Sequence, residues 1–175
     1  RAAAKEQVDA LQARIRPHFL FNSRNTIAGL IRSRPAEAER TVEDLSDLFR
    51  AALGADDQPG TLGEELDLVT RYLQIERLRL GERLRIEMDV DELPRDFAMP
   101  RLLLQPLIEK AICRGSQPRA DGGTLGMCGR GLAEAIAISI CNPLPQDLPA
   151  SRHGIALANV RARIGYHFGA HAGLQ

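Results

Sequence analysis

The residues with the clearest chemical potential lie in the segment Arg16–Asn22, which reads RPHFLFN. His18 directly follows Pro17, and because a proline inside a helix removes a hydrogen bond and tilts the axis, the imidazole would be presented sideways. A neutral imidazole has a free ring nitrogen near pH 7, and that nitrogen can attack phosphorus. The spacing alone favours the alternative, in which His18 lies at the edge of a helix bundle and bonds to a neighbour.

A second candidate is a group of charged residues within a segment that is otherwise rich in leucine and isoleucine. Glu109 and Lys110 are neighbours, and Arg114 follows Lys110 by one helical turn. The two cations would form a patch that suits a polyphosphate. The alternative is a solvated helix face, which is the commoner role of such charges.

A third candidate is the segment His153–Arg163, in which Gly154 stands at the start of a predicted helix. Free backbone N–H groups at a helix N-terminus can bind phosphate oxygens. Neither a Walker motif nor a dinucleotide fingerprint accompanies this glycine. The histidines His153, His167 and His171 lack the paired spacing with acids or thiols that a metal site requires, so we predict no metal site among them.

The composition limits the functions that these residues could serve. The 175 residues include 23 basic and 23 acidic side chains, so the formal charge is zero, and aromatic residues make up 4%. Without a basic field or a stacking platform, we expect no direct nucleic-acid partner. The cysteines Cys113, Cys128 and Cys141 lack CxxC spacing, and we expect all three to be reduced and buried.

The beginning of the chain and its apolar segments bear on membrane attachment. No apolar segment approaches the roughly 18 residues that span a bilayer. The sequence begins with Arg1 rather than a methionine. We therefore expect a fragment that could follow an upstream membrane segment.

The helical spacing of apolar residues predicts that the N-terminal third is entirely helical. One helix runs from Ala2 to about Ser33 with a kink at Pro17, and a second runs from about Ala36 to Leu53. Two helices joined by a tight connection form an antiparallel hairpin. Because a hairpin cannot bury its apolar stripe alone, we expect it to dimerise into a four-helix bundle.

The pattern after a linker at 54–60 predicts a mixture of helices and strands. Thr61 and Glu64 have the spacing of a capping box for a helix over about Leu62–Leu80, and alternation over Leu84–Val90 predicts a strand. The other predicted elements are a helix over about 100–113, strands over 124–128 and 133–141 joined by a turn at 129–131, and a helix over about 154–167. The predicted fold class is α followed by α/β.

Taken together, these segments resemble one protein family. Leu11–Asn25, with PHFLFN at its centre, is similar to the phosphoacceptor motif of LytS-type bacterial sensor histidine kinases. The segments Tyr72–Glu76, Leu104–Leu107 and Gly154–Arg163 follow in the family's order. Within the family, the chain most resembles the alginate-regulating sensors. The resemblance favours a phosphoacceptor role for His18.

The resemblance implies a division into a dimerising, phosphoacceptor hairpin domain (1–59), a connecting helix (60–82) and an ATP-binding domain (83–175). The last would be an α/β sandwich of the GHKL or Bergerat type, truncated before the strands that usually complete its sheet. His18 would take the γ-phosphate of ATP and pass it to an aspartate of a response regulator. The protein would be the cytoplasmic portion of a homodimeric inner-membrane sensor. The alternative is a catalytically impaired scaffold that dimerises and binds a response regulator without turning over ATP.

The resemblance also assigns site residues. The catalytic set is His18, Asn22 and Glu109, and the cofactor-binding set is Lys110, Arg114, Asn142, Gly154, Leu157 and Asn159. Lys110 stands where the family has the asparagine that holds Mg²⁺, and an ammonium group has no lone pair with which to ligate a metal. Arg114 replaces a family histidine and still suits phosphate. Asn142 stands near the position of the family's adenine-binding aspartate. ATP and Mg²⁺ are the cofactors that the resemblance implies, although Lys110 removes the family's metal ligand.

Overall fold

The computed structural model describes residues 17–53, 59–132, 135–143 and 155–174. Within these ranges the helices are α1 (Pro17–Leu30), α2 (Pro35–Leu53), α3 (Leu62–Leu80), α4 (Gln105–Arg114) and α5 (Ile155–Phe168). The strands are β1 (Pro59–Thr61), β2 (Leu84–Asp89), β3 (Ala98–Pro100), β4 (Gly123–Gly131) and β5 (Ile136–Cys141). Short 3₁₀ turns, Gly81–Arg83 and Gly169–His171, follow α3 and α5. This mixture confirms the predicted combination of helices and sheet.

The helices α1 and α2 form the predicted hairpin, and α3 packs against both of them. Phe19 of α1 and Leu48 of α2 are buried in one core with Tyr72 of α3. The third helix therefore buries part of the apolar stripe within the same chain, which the sequence argument did not anticipate. Apolar side chains that stay exposed on the hairpin are Leu20, Phe21, Ile31 and Val42. The four-helix bundle stays a prediction.

The strands of the described ranges form two sheets. In the larger sheet the order is β2-β4-β5, with β2 parallel and β5 antiparallel to β4. Leu84, Leu125 and Met127 are buried on the face of this sheet that contributes to the core. The smaller sheet pairs β1 with β3, so that the segment just before α3 is joined to the segment just before α4. Because α3 contacts the hairpin, α4 and β2, the division at residues 60 and 82 stays a prediction.

Helix α3 begins and ends as the sequence predicts. The backbone N–H of Glu64 donates to Thr61 Oγ1 at 3.2 Å, and the Thr61 N–H donates to Glu64 Oε2 at 3.2 Å. This reciprocal pair satisfies two of the donors that a helix start leaves without partners. The helix ends before Gly81, whose φ of 58° suits glycine.

Two predicted boundaries are wrong. The segment at 129–131 is not a turn but the end of β4, where Gly131 pairs with Ile136. Gly129 is needed there because an added Cβ would lie 2.2 Å from a methyl carbon of Leu93. The helix predicted from Pro100 begins instead at Gln105, because the preceding backbone bonds to a side chain of α3. The short strands β1 and β3 were not predicted.

The prediction that all three cysteines are buried is also wrong. Cys113 is partly buried, whereas Cys128 and Cys141 are exposed. The cause is the alternation of a strand, because both residues lie on the open face of the sheet. All three lie outside any disulfide.

Several predictions fall outside the described residues. They are the helix and kink before Pro17, the linker over 54–58 and the position of Gly154. Among the helices that the structure does describe, none has both the length and the apolar character that a bilayer crossing requires.

Candidate functional site

His18 lies in the first turn of α1, with its side chain exposed to solvent. The amide Nδ2 of Asn22, one turn further on, lies 3.1 Å from Nδ1 and 3.4 Å from Nε2 of the imidazole. An i, i+4 pair of this kind limits the orientations of both side chains. The ring is therefore accessible and held by one neighbour, as both sequence interpretations of His18 would allow.

The residue after His18 fixes the helix to the rest of the fold. Phe19 is buried, and its ring centroid lies 4.8 Å from that of Tyr72 in α3. Ser23, also buried, donates its hydroxyl to the carbonyl of Phe19 at 2.8 Å. One face of α1 is therefore anchored to α3, and this anchoring turns His18 outward.

The second candidate group lies on α4. Glu109 is buried, and its Oε1 accepts a hydrogen bond from Nε2 of Gln105 at 3.1 Å. The interpretation of this helix as a fully solvated face is therefore wrong for Glu109. Lys110 and Arg114 are partly buried and one turn apart, so both positive charges can attract the same anion.

Helix α3 places a second polar group against this part of α4. Arg79 donates from Nε to Oε1 of the buried Glu76 at 3.1 Å, and its Nη2 pairs with the other carboxylate oxygen. Burial raises the pKa of Tyr72 well above its usual value, and the carboxylates of Glu76 and Glu109 raise it further. Buried charges of this kind require partners, and here Arg79 supplies one to Glu76 within α3 and Gln105 supplies one to Glu109 within α4.

The remaining candidates lie at the ends of other elements. Asn142, just after β5, packs against the C-terminal end of α4, where a Cβ on Gly115 would lie 2.7 Å from its Nδ2. That Nδ2 donates to the carbonyl of Pro143 at 3.0 Å. In α5, Leu157 is partly buried and Asn159 is exposed. The structure thus brings Asn142 to the end of α4, next to Gly115.

The donor set on α4 fits a phosphate and does not fit a divalent metal. Lys110 and Arg114 offer positive charge and N–H donors, which phosphate oxygens accept. Lys110 has no lone pair to offer Mg²⁺. Nowhere in the described part of the chain do three or more acids, histidines or cysteines gather as a metal site would require.

Comparison with known proteins places the chain in a family. The family model described as "Histidine kinase" matches residues 6–84, which include His18 and all of α3. The sensor histidine kinase BtsS of Escherichia coli K12 is 30% identical over 172 residues, covering 98% of this chain and 31% of that protein. YesM of Bacillus subtilis, a sensor histidine kinase, is 31% identical over 175 residues, covering 97% of the chain and 30% of that protein.

A further relative connects the chain to the branch that the motifs indicated. The sensor histidine kinase/phosphatase LytS of Staphylococcus aureus Mu50 is 38% identical over 120 residues, covering 68% of this chain and 20% of that protein. The chain belongs to the LytS-type sensor histidine kinases. It spans about a third of the length of BtsS and YesM.

In this member of the LytS-type family, sequence reasoning missed one polar residue of the core. Glu65 of α3 is 1% exposed, and its carboxylate accepts hydrogen bonds from three backbone N–H groups just before α4. Burial raises the pKa of Glu65, and the three N–H donors together with Arg163 oppose the increase. A signal was present, because Glu65 follows Leu62 by three residues and precedes Val69 by four, which places an acid on the apolar face.

Proposed function

We propose that this chain is the kinase core of a two-component sensor, in which His18 takes the γ-phosphoryl group of ATP and passes it to an aspartate of a response regulator. The observation that carries the proposal is the exposed His18, held by Asn22 and set on a helix that Phe19 anchors. An imidazole nitrogen attacks the γ-phosphorus, ADP leaves, and the phosphoramidate then transfers its phosphoryl group to the carboxylate.

Asn22 would orient the nucleophile. As placed, its amide nitrogen faces Nδ1 of His18. If the amide is rotated by 180°, Oδ1 accepts a hydrogen bond from Nδ1–H instead, and Nε2 keeps its lone pair for the attack. The same side chain thus selects the reactive tautomer without itself touching the phosphate.

The nucleotide would lie against α4, in a domain of the GHKL type. Lys110 and Arg114 would hold the phosphates. The buried Glu109, next to Lys110, would be a catalytic residue. Asn142 would take part in binding the base, and Gly154, Leu157 and Asn159 would line the other side of the site. ATP supplies the phosphoryl group, and no step of this proposal uses Mg²⁺, because Lys110 cannot ligate it.

The proposal also includes the partners of the kinase core and its attachment to the membrane. The exposed apolar side chains of the hairpin support a homodimer, in which two hairpins form a four-helix bundle. The partner in phosphotransfer would be the receiver domain of a response regulator. A membrane segment upstream of this chain would hold the kinase core on the cytoplasmic side of the inner membrane.

Radiolabelled ATP tests the proposal directly. We expect the chain to acquire a label that is stable in base and labile in acid, as a phosphoramidate is, and we expect His18→Gln to abolish it. The matched control is His167→Gln, because His167 is also an exposed histidine but lies on α5. A label that survives in the His18→Gln variant would move the phosphoacceptor to another residue, and a chain that never acquires label would reject the kinase proposal.

A further inference from the structure

Glu65 is a buried carboxylate that the proposed chemistry does not use. Its Oε2 accepts from the backbone N–H groups of Leu103 at 2.8 Å and Leu104 at 2.9 Å, and its Oε1 accepts from that of Leu102. Three successive N–H groups therefore converge on one carboxylate. Hydrogen bonds to a charged acceptor are among the stronger ones in proteins, and a carboxylate buried this deeply needs them.

These three residues immediately precede α4, so that Glu65 determines how that helix begins. The carboxylate sits at the N-terminal end of α4, where its charge is favourable to the helix dipole. Leu102 has a φ of +54°, which is uncommon for a residue with a side chain and persists only where the surroundings hold it. Arg163 of α5 donates from Nη1 to the carbonyl of Leu102 at 3.3 Å. Side chains from two elements, α3 and α5, therefore hold the turn that leads into α4.

The helix that carries Glu65 is also the one that holds the hairpin. At one end of the hairpin, Tyr72 of α3 packs on Phe19, beside His18. Arg71 of α3 pairs with Asp44 at 3.2 Å and with Asp47 at 2.8 Å, both on α2. Helix α3 therefore has fixed contacts with the phosphoacceptor hairpin and, through Glu65, with the start of α4.

We infer that Glu65 is a positioning residue for the nucleotide site: it holds the start of α4 on α3 and so fixes where Lys110 and Arg114 face the phosphates. The inference rests on the proposed function, because it requires that α4 binds ATP. Glu65 does not itself contact the nucleotide in this scheme. Its effect passes through the backbone of Leu102–Leu104 into the helix.

The test compares Glu65→Gln with Glu64→Gln in the full chain. Glutamine at position 65 keeps the size of the side chain but leaves one acceptor oxygen and turns an NH₂ group toward backbone donors. Glu64 is the exposed neighbour in the same helical turn and serves as the matched control. The dissociation constant of a fluorescent ATP analogue is measured for each protein at a temperature where circular dichroism shows both variants fully folded.

We expect Glu65→Gln to weaken nucleotide binding about tenfold and Glu64→Gln to change it by less than about twofold. A role confined to stability would lower the unfolding temperature and leave the affinity of the folded protein unchanged. If Glu65→Gln does not fold, Arg163→Gln replaces it, since Arg163 is only partly buried, and we expect about threefold weaker binding.

The two possible failures have different signatures. Equal affinities of the wild-type chain and the folded position-65 or position-163 variant would overturn the positioning role and leave the nucleotide site in place. A wild-type chain without affinity for the analogue would overturn the proposed nucleotide site and the positioning role with it.

Discussion

His18 and Glu65 show which residues a sequence pattern can identify and which it cannot. His18 is identifiable because a histidine after a proline in a helical segment is unusual, and the structure leaves it exposed next to Asn22. The burial of Glu65 depends on the turn at 102–104, which is 37 to 39 residues away in sequence. Local spacing can show that an acid lies on an apolar face, but it does not show which backbone groups will come to meet it.

Lys110 is the residue whose substitution tests the metal requirement. In the proposed site the ammonium group would supply charge to the phosphates but no ligand to Mg²⁺, so we expect the wild-type chain to be labelled weakly by ATP. Lys110→Asn provides a carbonyl oxygen that can ligate the metal. We therefore expect labelling of the variant to increase about tenfold on addition of Mg²⁺, measured as initial rates with and without a chelator.

The control for this prediction is Lys110→Met, which removes the charge without adding an acceptor. We expect Mg²⁺ to give this variant no increase in labelling. If the wild-type chain and Lys110→Asn showed the same dependence on Mg²⁺, the role assigned to position 110 would be wrong.

At the scale of elements, the best predicted part is the one whose limits are set by neighbouring residues. Helix α3 begins at the capping box of Thr61 and Glu64 and ends before Gly81, and all three signals lie within the element or next to it. The start of α4 and the end of β4 were predicted wrongly because each depends on a partner outside the element itself. The start of α4 is set by Glu65, which lies on α3. The end of β4 is set by pairing with β5, which continues through glycines that look like a turn in the sequence.

The attachment of α1 to α3 makes a second prediction. Phe19→Ala removes a buried ring that packs on Tyr72, so we expect the free energy of unfolding to fall by about 3–5 kcal/mol. Phe21→Ala is the matched control, because Phe21 is 56% exposed on the same helix, and its loss should cost less than about 1 kcal/mol. Urea unfolding monitored by circular dichroism measures both changes. Similar losses in the two variants would show that α1 is not anchored through Phe19.

At the scale of the whole molecule, the formal charge of zero leaves association to local surfaces rather than to a general field. Helix α3 buries one side of the hairpin, so a partner is not needed for that side. Ile31, just after α1, and Val42, on α2, nevertheless remain 58% and 47% exposed. The proposed four-helix bundle would bury them.

This surface gives the prediction for assembly. We expect the wild-type chain to sediment with about twice its mass of 19.2 kDa, and the double variant Ile31→Glu, Val42→Glu to sediment as a monomer, because burying two carboxylates in an apolar interface is costly. Leu132→Glu is the control, since Leu132 is 61% exposed just after β4 and does not belong to the hairpin, so we expect this variant to leave the dimer intact. Dimers that persist in the double variant would place the interface elsewhere, and a monomeric wild-type chain would mean that the hairpin surface of this chain does not suffice for dimerisation.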